Sequence, residues 1–134
     1  MSVTSQEPRG VAPANALGKY SVVINTDDLM SRCFGNIDFI IRILSILKER
    51  CDEEMIDLQQ AAEELDVERV YAIAHRLKGA LANAAASELS SLADQICTSL
   101  STENIRVTKE KIQQLRKGWD ELSALIDQDT NTAA

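Results

Sequence analysis

From Ile37 to Leu65 the apolar side chains return mostly at steps of three and four: Ile37, Ile40, Ile41, Leu44, Leu47, Cys51, Met55, Leu58, Ala62 and Leu65. That is the period of one face of an α-helix; a half-buried strand would show a period of two. So long a stripe has to be covered by other helices. The chain supplies them. Val70, Ile73, Ala74, Leu77, Leu81 and Ala84 mark a second helix, from about Val67 to Ala84. Leu89, Leu92, Ala93, Ile96 and Leu100 mark a third, with Ser87 as its cap. After the polar turn "STEN", a near-regular heptad runs through Ile105, Thr108, Ile112, Leu115, Trp119, Leu122 and Ile126. Four amphipathic helices with short joins predict an all-α fold: an antiparallel up-down-up-down four-helix bundle with a short additional N-terminal helix.

Local signals place the helix ends. Asn36 is a good N-cap for the first long helix and Asp66 for the second. Arg69, three residues after Asp66, rules out a capping box, while Glu68 suits the positive end of the helix dipole. "TDDLMSRCFGN" predicts the short N-terminal helix, capped by Thr26 or Asp27 and stopped by a left-handed Gly35. "YSVVIN" reads as an extended lead into it. Residues 1–19 carry Pro8, Gly10, Pro13 and Gly18 and read as a flexible tail, which leaves 20–134 as the folded domain.

Charge and cysteine use exclude several functions. A net charge of −7 repels phosphate backbones and anionic lipid, so neither nucleic acid nor a membrane is an expected partner. The longest apolar run, "FIIRILSIL", is too short for a bilayer and contains Arg42. The first residues lack the basic end and apolar run of a signal peptide, so a soluble, cytoplasmic protein is expected. The three cysteines, Cys33, Cys51 and Cys97, have no Cys-x-x-Cys spacing; reduced, partly buried thiols are the expectation. With a single histidine, no metal site is expected.

That histidine, His75, is the chemistry-bearing residue. At ~100° per residue, Ile73, Ala74, Leu77, Leu81 and Ala84 fall within roughly 60° of Val70, and His75 lies about 140° from it. It therefore faces outward, with Tyr71 one turn before it, Gly79 one turn after it and Ala82 beyond. Glycine in a helix interior costs about 1 kcal/mol relative to alanine. Beside an outward histidine it clears an approach, and Lys78 puts a cation close by. An accessible nucleophilic nitrogen, an ammonium and an open approach suit covalent phosphorylation of the imidazole. Against this stands the plainer reading, an idle surface histidine with a glycine set by packing.

The string "AHRLKGALANAAASEL" resembles the signature of histidine-containing phosphotransfer (HPt) domains. His75, Leu77, Lys78, Gly79, Ala80, Ala82, Ala86 and Leu89 match it in type and spacing, and residues 27 to 128 resemble the family layout. Ala85 departs from it, standing where the family usually has a glycine, and an alanine there predicts a helix that runs on a little or ends less sharply. The resemblance implies a phosphoryl carrier rather than an enzyme. His75 would accept a phosphoryl group on Nε2 from a response-regulator receiver domain or a sensor histidine kinase and relay it to a receiver aspartate. Lys78 would stabilise the phosphoryl charge and Gly79 would keep the approach open. No cofactor is implied, the Mg²⁺ belonging to the partner receiver, and a monomer is expected. Tyr71, Arg76, Ala82, Phe39 and Ile43 are the candidate partner contacts. Phe39, Ile43 and Ile46 lie opposite the inward stripe of their helix, so they either pack under Leu29, Met30 and Phe34 of the short helix or form a docking patch.

Three other readings compete. The phosphoacceptor helix of a sensor kinase typically has an acidic residue after its histidine and a proline soon after; here Arg76 follows and no proline occurs beyond Pro13. A chemotaxis-type phosphoacceptor module, phosphorylated in trans, shares the bundle and is not separated by sequence. A helical adaptor without phosphate chemistry leaves the Lys78–Gly79 pair unexplained.

Overall fold

The computed structural model describes residues 14–102 and 105–133. After a 3₁₀ helix, Ala14–Val22, come α1 (Thr26–Arg32), α2 (Ile37–Glu63), α3 (Val67–Asn83), α4 (Ser87–Thr102) and α5 (Ile105–Ala133). No strand occurs among the described residues. Consecutive long helices are spatial neighbours, α2 with α3, α3 with α4 and α4 with α5, and α5 closes back on α2. This is the adjacency of a four-helix bundle.

The stripes fill its centre. Leu44, Cys51, Met55, Leu58, Leu77, Leu81, Ile96, Leu115 and Leu122 are almost completely buried. Trp119 is also buried and donates its indole N–H to Asp52 Oδ1 at 2.8 Å, which gives the ring a polar partner inside the α2–α5 seam. The one polar position in the α5 stripe, Thr108, shares a 2.8 Å hydrogen bond with the buried Ser99 of α4. Leu65 is the exception: it lies past the end of α2, with φ 57° and 60% of its surface exposed.

Helix ends partly follow the expectations. Asn36 accepts from the Phe39 N–H and Asp66 from the Arg69 N–H, as N-caps should. The short helix is capped one residue earlier than expected, by Asn25, whose side chain accepts from the Asp28 N–H. α4 starts at Ser87 itself, and the Ala86 carbonyl accepts its first bond, from Ser90, so Ser87 is not the cap.

Two expectations fail. "YSVVIN" is not extended, and residues 14–19, read as tail, belong to the 3₁₀ helix. Leu17 and Tyr20 are buried, the Tyr20 hydroxyl donates to Asp129 of α5, and Lys19 Nζ pairs with Asp129 at 2.7 Å. Burial, then Asp129, pushes the Tyr20 phenol far above its usual range. Residues 1–13 of the expected tail lie outside the described residues. The second failure is at Ala85. α3 ends sharply: Ala85 adopts φ 60°, its N–H reaches Ala82 O, and the Ala86 N–H reaches Leu81 O at 2.9 Å. This is the left-handed cap usually given to glycine. Tertiary contacts impose it, since Ala85 is buried and its carbonyl accepts from the Asn25 N–H at 2.8 Å.

A left-handed non-glycine residue costs roughly 1 kcal/mol or more. Leu65→Gly, at an exposed site, should raise stability by about 0.5–1 kcal/mol in urea melts. Ala85→Gly relieves the same strain but deletes a buried methyl of about 0.8 kcal/mol, so it should change stability by less than about 0.5 kcal/mol.

Asp52 carries a pH dependence. Burial raises its carboxyl pKa, but bonds from Lys48 at 2.6 Å and from Trp119 lower it, and the net value lies below the ordinary one. A depressed carboxyl stabilises the fold above its unfolded pKa, and this contribution disappears as pH falls through the folded value. Asp52→Asn should therefore cost about 1 kcal/mol at neutral pH. The native and variant melts should converge as the pH falls through that lowered value.

Candidate phosphoacceptor site on helix α3

α3 is fixed in rotation by the burial of Val70, Ile73, Ala74, Leu77 and Leu81. With those five inward, His75 faces water, as its exposure shows. Tyr71 stacks on it, ring centroids 6.0 Å apart and planes 8° from parallel. The two rings lie nearly parallel, and both residues are exposed. Ala82 and Gly79 are exposed on the same side.

A Cβ built on Gly79 would meet no heavy atom within 4 Å. Glycine is therefore not required there by packing within the chain. The helix bears the propensity cost of a glycine at this exposed position.

The two neighbouring cations are engaged. Arg76 reaches toward α2 and makes a two-pronged pair with Glu54, at 2.9 and 3.0 Å. Lys78 reaches toward α4 and pairs with Asp94 at 3.0 Å. That hydrogen bond raises the lysine pKa, keeping the group an ammonium. The Ser90 hydroxyl donates to the Lys78 carbonyl at 2.9 Å and fixes α4 against this turn of α3. Arg32 of α1 donates to Ala82 O and Asn83 O, both at 3.1 Å. It supplies the positive charge that the last turn of α3 lacks.

Of the candidate residues, His75, Tyr71, Lys78, Gly79 and Ala82 share one face, and Arg76 sits at its α2 edge. Phe39 and Ile43 lie on α2. Ile43 and Ile46 line a shallow groove with Leu47, Arg50 and, from α3, Ala80, Asn83 and Ala84. Phe39 is outside that lining but half exposed. Ile46 is 59% exposed and Phe34, just past α1, is 95% exposed, while Leu29 of α1 is buried. A second apolar groove, formed by Val67, Glu68, Tyr71, Cys97 and Leu100, flanks the α4 side. Sequence reading missed Asp94, Ser90 and Arg32. Asp94 stands just off the α4 stripe, but its pairing with Lys78 depends on interhelical register, which stripes do not encode.

The cysteines are free. Burial pushes the Cys51 thiol up to about 12 and also raises Cys97, whose thiol points to the Tyr71 carbonyl at 3.9 Å. Neither is a thiolate nucleophile at neutral pH. Among the described residues no cluster of three or more His, Cys, Asp or Glu side chains could hold a metal ion, and no helix is long and apolar enough to cross a membrane.

The family model of the Hpt domain matches residues 42–125, which include α3 and α4 entire and most of α2 and α5. No curated protein and no solved structure matches the chain.

Because Gly79 has no internal packing duty, Gly79→Ala should raise stability by about 1 kcal/mol in a urea or thermal melt. A loss of stability would mean that a hidden contact demands the glycine.

Proposed function

The chain belongs to the Hpt domain family, and from that premise we propose that His75 is its phosphoacceptor. Hpt domains are phosphocarrier modules that work with receiver domains and histidine kinases in two-component phosphorelays. The observation that carries the residue assignment is the exposed, Tyr71-stacked imidazole beside a glycine with nothing around its Cβ position.

In the proposed step the neutral imidazole, protonated on Nδ1, attacks the phosphorus of a receiver's aspartyl phosphate through its Nε2 lone pair. The P–Nε2 bond forms while the P–O bond to the aspartate breaks, and the carboxylate leaves with that electron pair. The positive charge gained by the ring is relieved by loss of the Nδ1 proton to water. Reversal delivers the group to the next receiver. The transition state is largely dissociative, so alignment and charge stabilisation matter more than covalent help. The receiver brings the Mg²⁺ and most of that charge stabilisation; this chain contributes the nucleophile, the Lys78 ammonium and a low surface at Gly79 and Ala82. The carrier needs no cofactor of its own and acts as a cytoplasmic monomer.

The apolar surface at Phe39, Ile43 and Ile46 is the proposed receiver-docking patch, with Tyr71, Arg76 and Ala82 at its His75 end. The exposure of Phe34, Phe39 and Ile46 supports docking over cover.

A radiolabelled transfer assay with a phosphorylated receiver domain tests these roles. His75→Gln should accept no label while keeping native helical content, since the ring is not core. Gly79→Ala should slow transfer by about tenfold or more, because a methyl on the approach displaces the reacting atoms. Phe39→Asp should weaken transfer with an unchanged melting temperature; a fall in stability instead would assign Phe39 to the fold.

A further inference from the structure

We propose that Asp94 is a positioning residue that sets how firmly the phosphoryl group is held, by competing with it for the Lys78 ammonium. The inference rests on the phosphotransfer reading of His75. Lys78 Nζ lies 3.0 Å from Asp94 Oδ1, and both side chains are half in water, 43% and 53% exposed. Cys97 and Tyr71 also lie beside the ammonium, burial keeps the Cys97 thiol protonated, and the Arg32 guanidinium of α1 lines the same open pocket as Lys78 and Asp94. In the unloaded protein, then, the charge that Lys78 offers is already largely answered by one carboxylate.

Loading His75 changes that balance. A phosphoryl group brings about 1.5–2 negative charges and three strong acceptor oxygens. Lys78 lies three residues from His75 on the same helix, within reach of a flexible four-carbon stem with three donors. An exposed ion pair is weakly held, so the ammonium can turn from Asp94 to the phosphoryl oxygens at small cost. Asp94 then stays close as an unpaired negative charge and pulls the ammonium back. The group is held loosely enough to be passed on. A carrier with Lys78 unopposed would bind it more tightly and release it less readily.

The probe is phosphoramidate, with phosphohistidine followed by ³¹P NMR. Loading forms the P–Nε2 bond as the donor's own P–N bond breaks and ammonia leaves with a proton. The readout is the second ionisation of the phosphoryl group, obtained from the pH dependence of its shift. Relative to the native chain, Asp94→Asn should lower that pKa by about half a unit, a roughly threefold change in proton affinity. Lys78→Gln should raise it, and in the Lys78→Gln background the effect of Asp94→Asn should largely vanish. Asp94→Glu should restore the native value. An unchanged pKa in loaded Asp94→Asn, or an equal effect with and without Lys78, overturns the proposal. A native chain that takes no phosphoryl group overturns the phosphotransfer reading itself, and the role of Asp94 with it.

Discussion

Everything at the candidate site depends on the rotation of α3 about its own axis. Five inward residues, Val70, Ile73, Ala74, Leu77 and Leu81, are buried against the neighbouring helices. At about 1.5–3 kcal/mol for each large apolar side chain, turning the helix to hide His75 would cost far more than any surface contact could return. The imidazole is in water because the opposite face of α3 is buried. Tyr71 stacks on the ring, and Gly79 leaves the ground beside it low.

α3 is held at its start by a local cap and at its other end by parts of the chain far away in sequence. Asp66 caps its start. At its other end Arg32 of α1 binds the last carbonyls, while the Asn25 N–H holds the carbonyl of left-handed Ala85. Ser90 pins α4 against the Lys78 turn. The N-terminal helices thus brace the histidine helix, and the 3₁₀ helix is itself tied to α5 through Lys19, Tyr20 and Asp129. Such bracing suits a phosphocarrier module, whose chemistry depends on alignment.

Much of this was legible in the sequence, for a physical reason. Helical periodicity is a local signal, and the four stripes gave both the bundle and the outward direction of His75. Asn36 and Asp66 are caps by side-chain chemistry alone. What escaped is non-local. Leu17 and Tyr20 sit in a segment too short and too rich in glycine and proline to show a period, and their burial depends on α5 more than a hundred residues away. Ala85 was expected to soften the helix end because glycine is the usual left-handed residue. Burial and the Asn25 bond impose that conformation on an alanine instead. Leu65 continued the α2 stripe on paper but lies past the point where the helix stops. The partners of Arg76 and Lys78, Glu54 and Asp94, are set by how helices line up side by side, and no spacing within one helix reveals that.

The single histidine permits one direct measurement. In chain loaded with phosphoramidate and labelled with ¹⁵N, imidazole spectra report one ring without overlap. Phosphotransfer through His75 requires a ³¹P coupling to Nε2 and to no other nitrogen, with the backbone spectrum unchanged outside the exposed face of α3 and the adjoining turns of α2 and α4. An imidazole that stays unmodified, or a phosphoryl group found on another side chain, contradicts it.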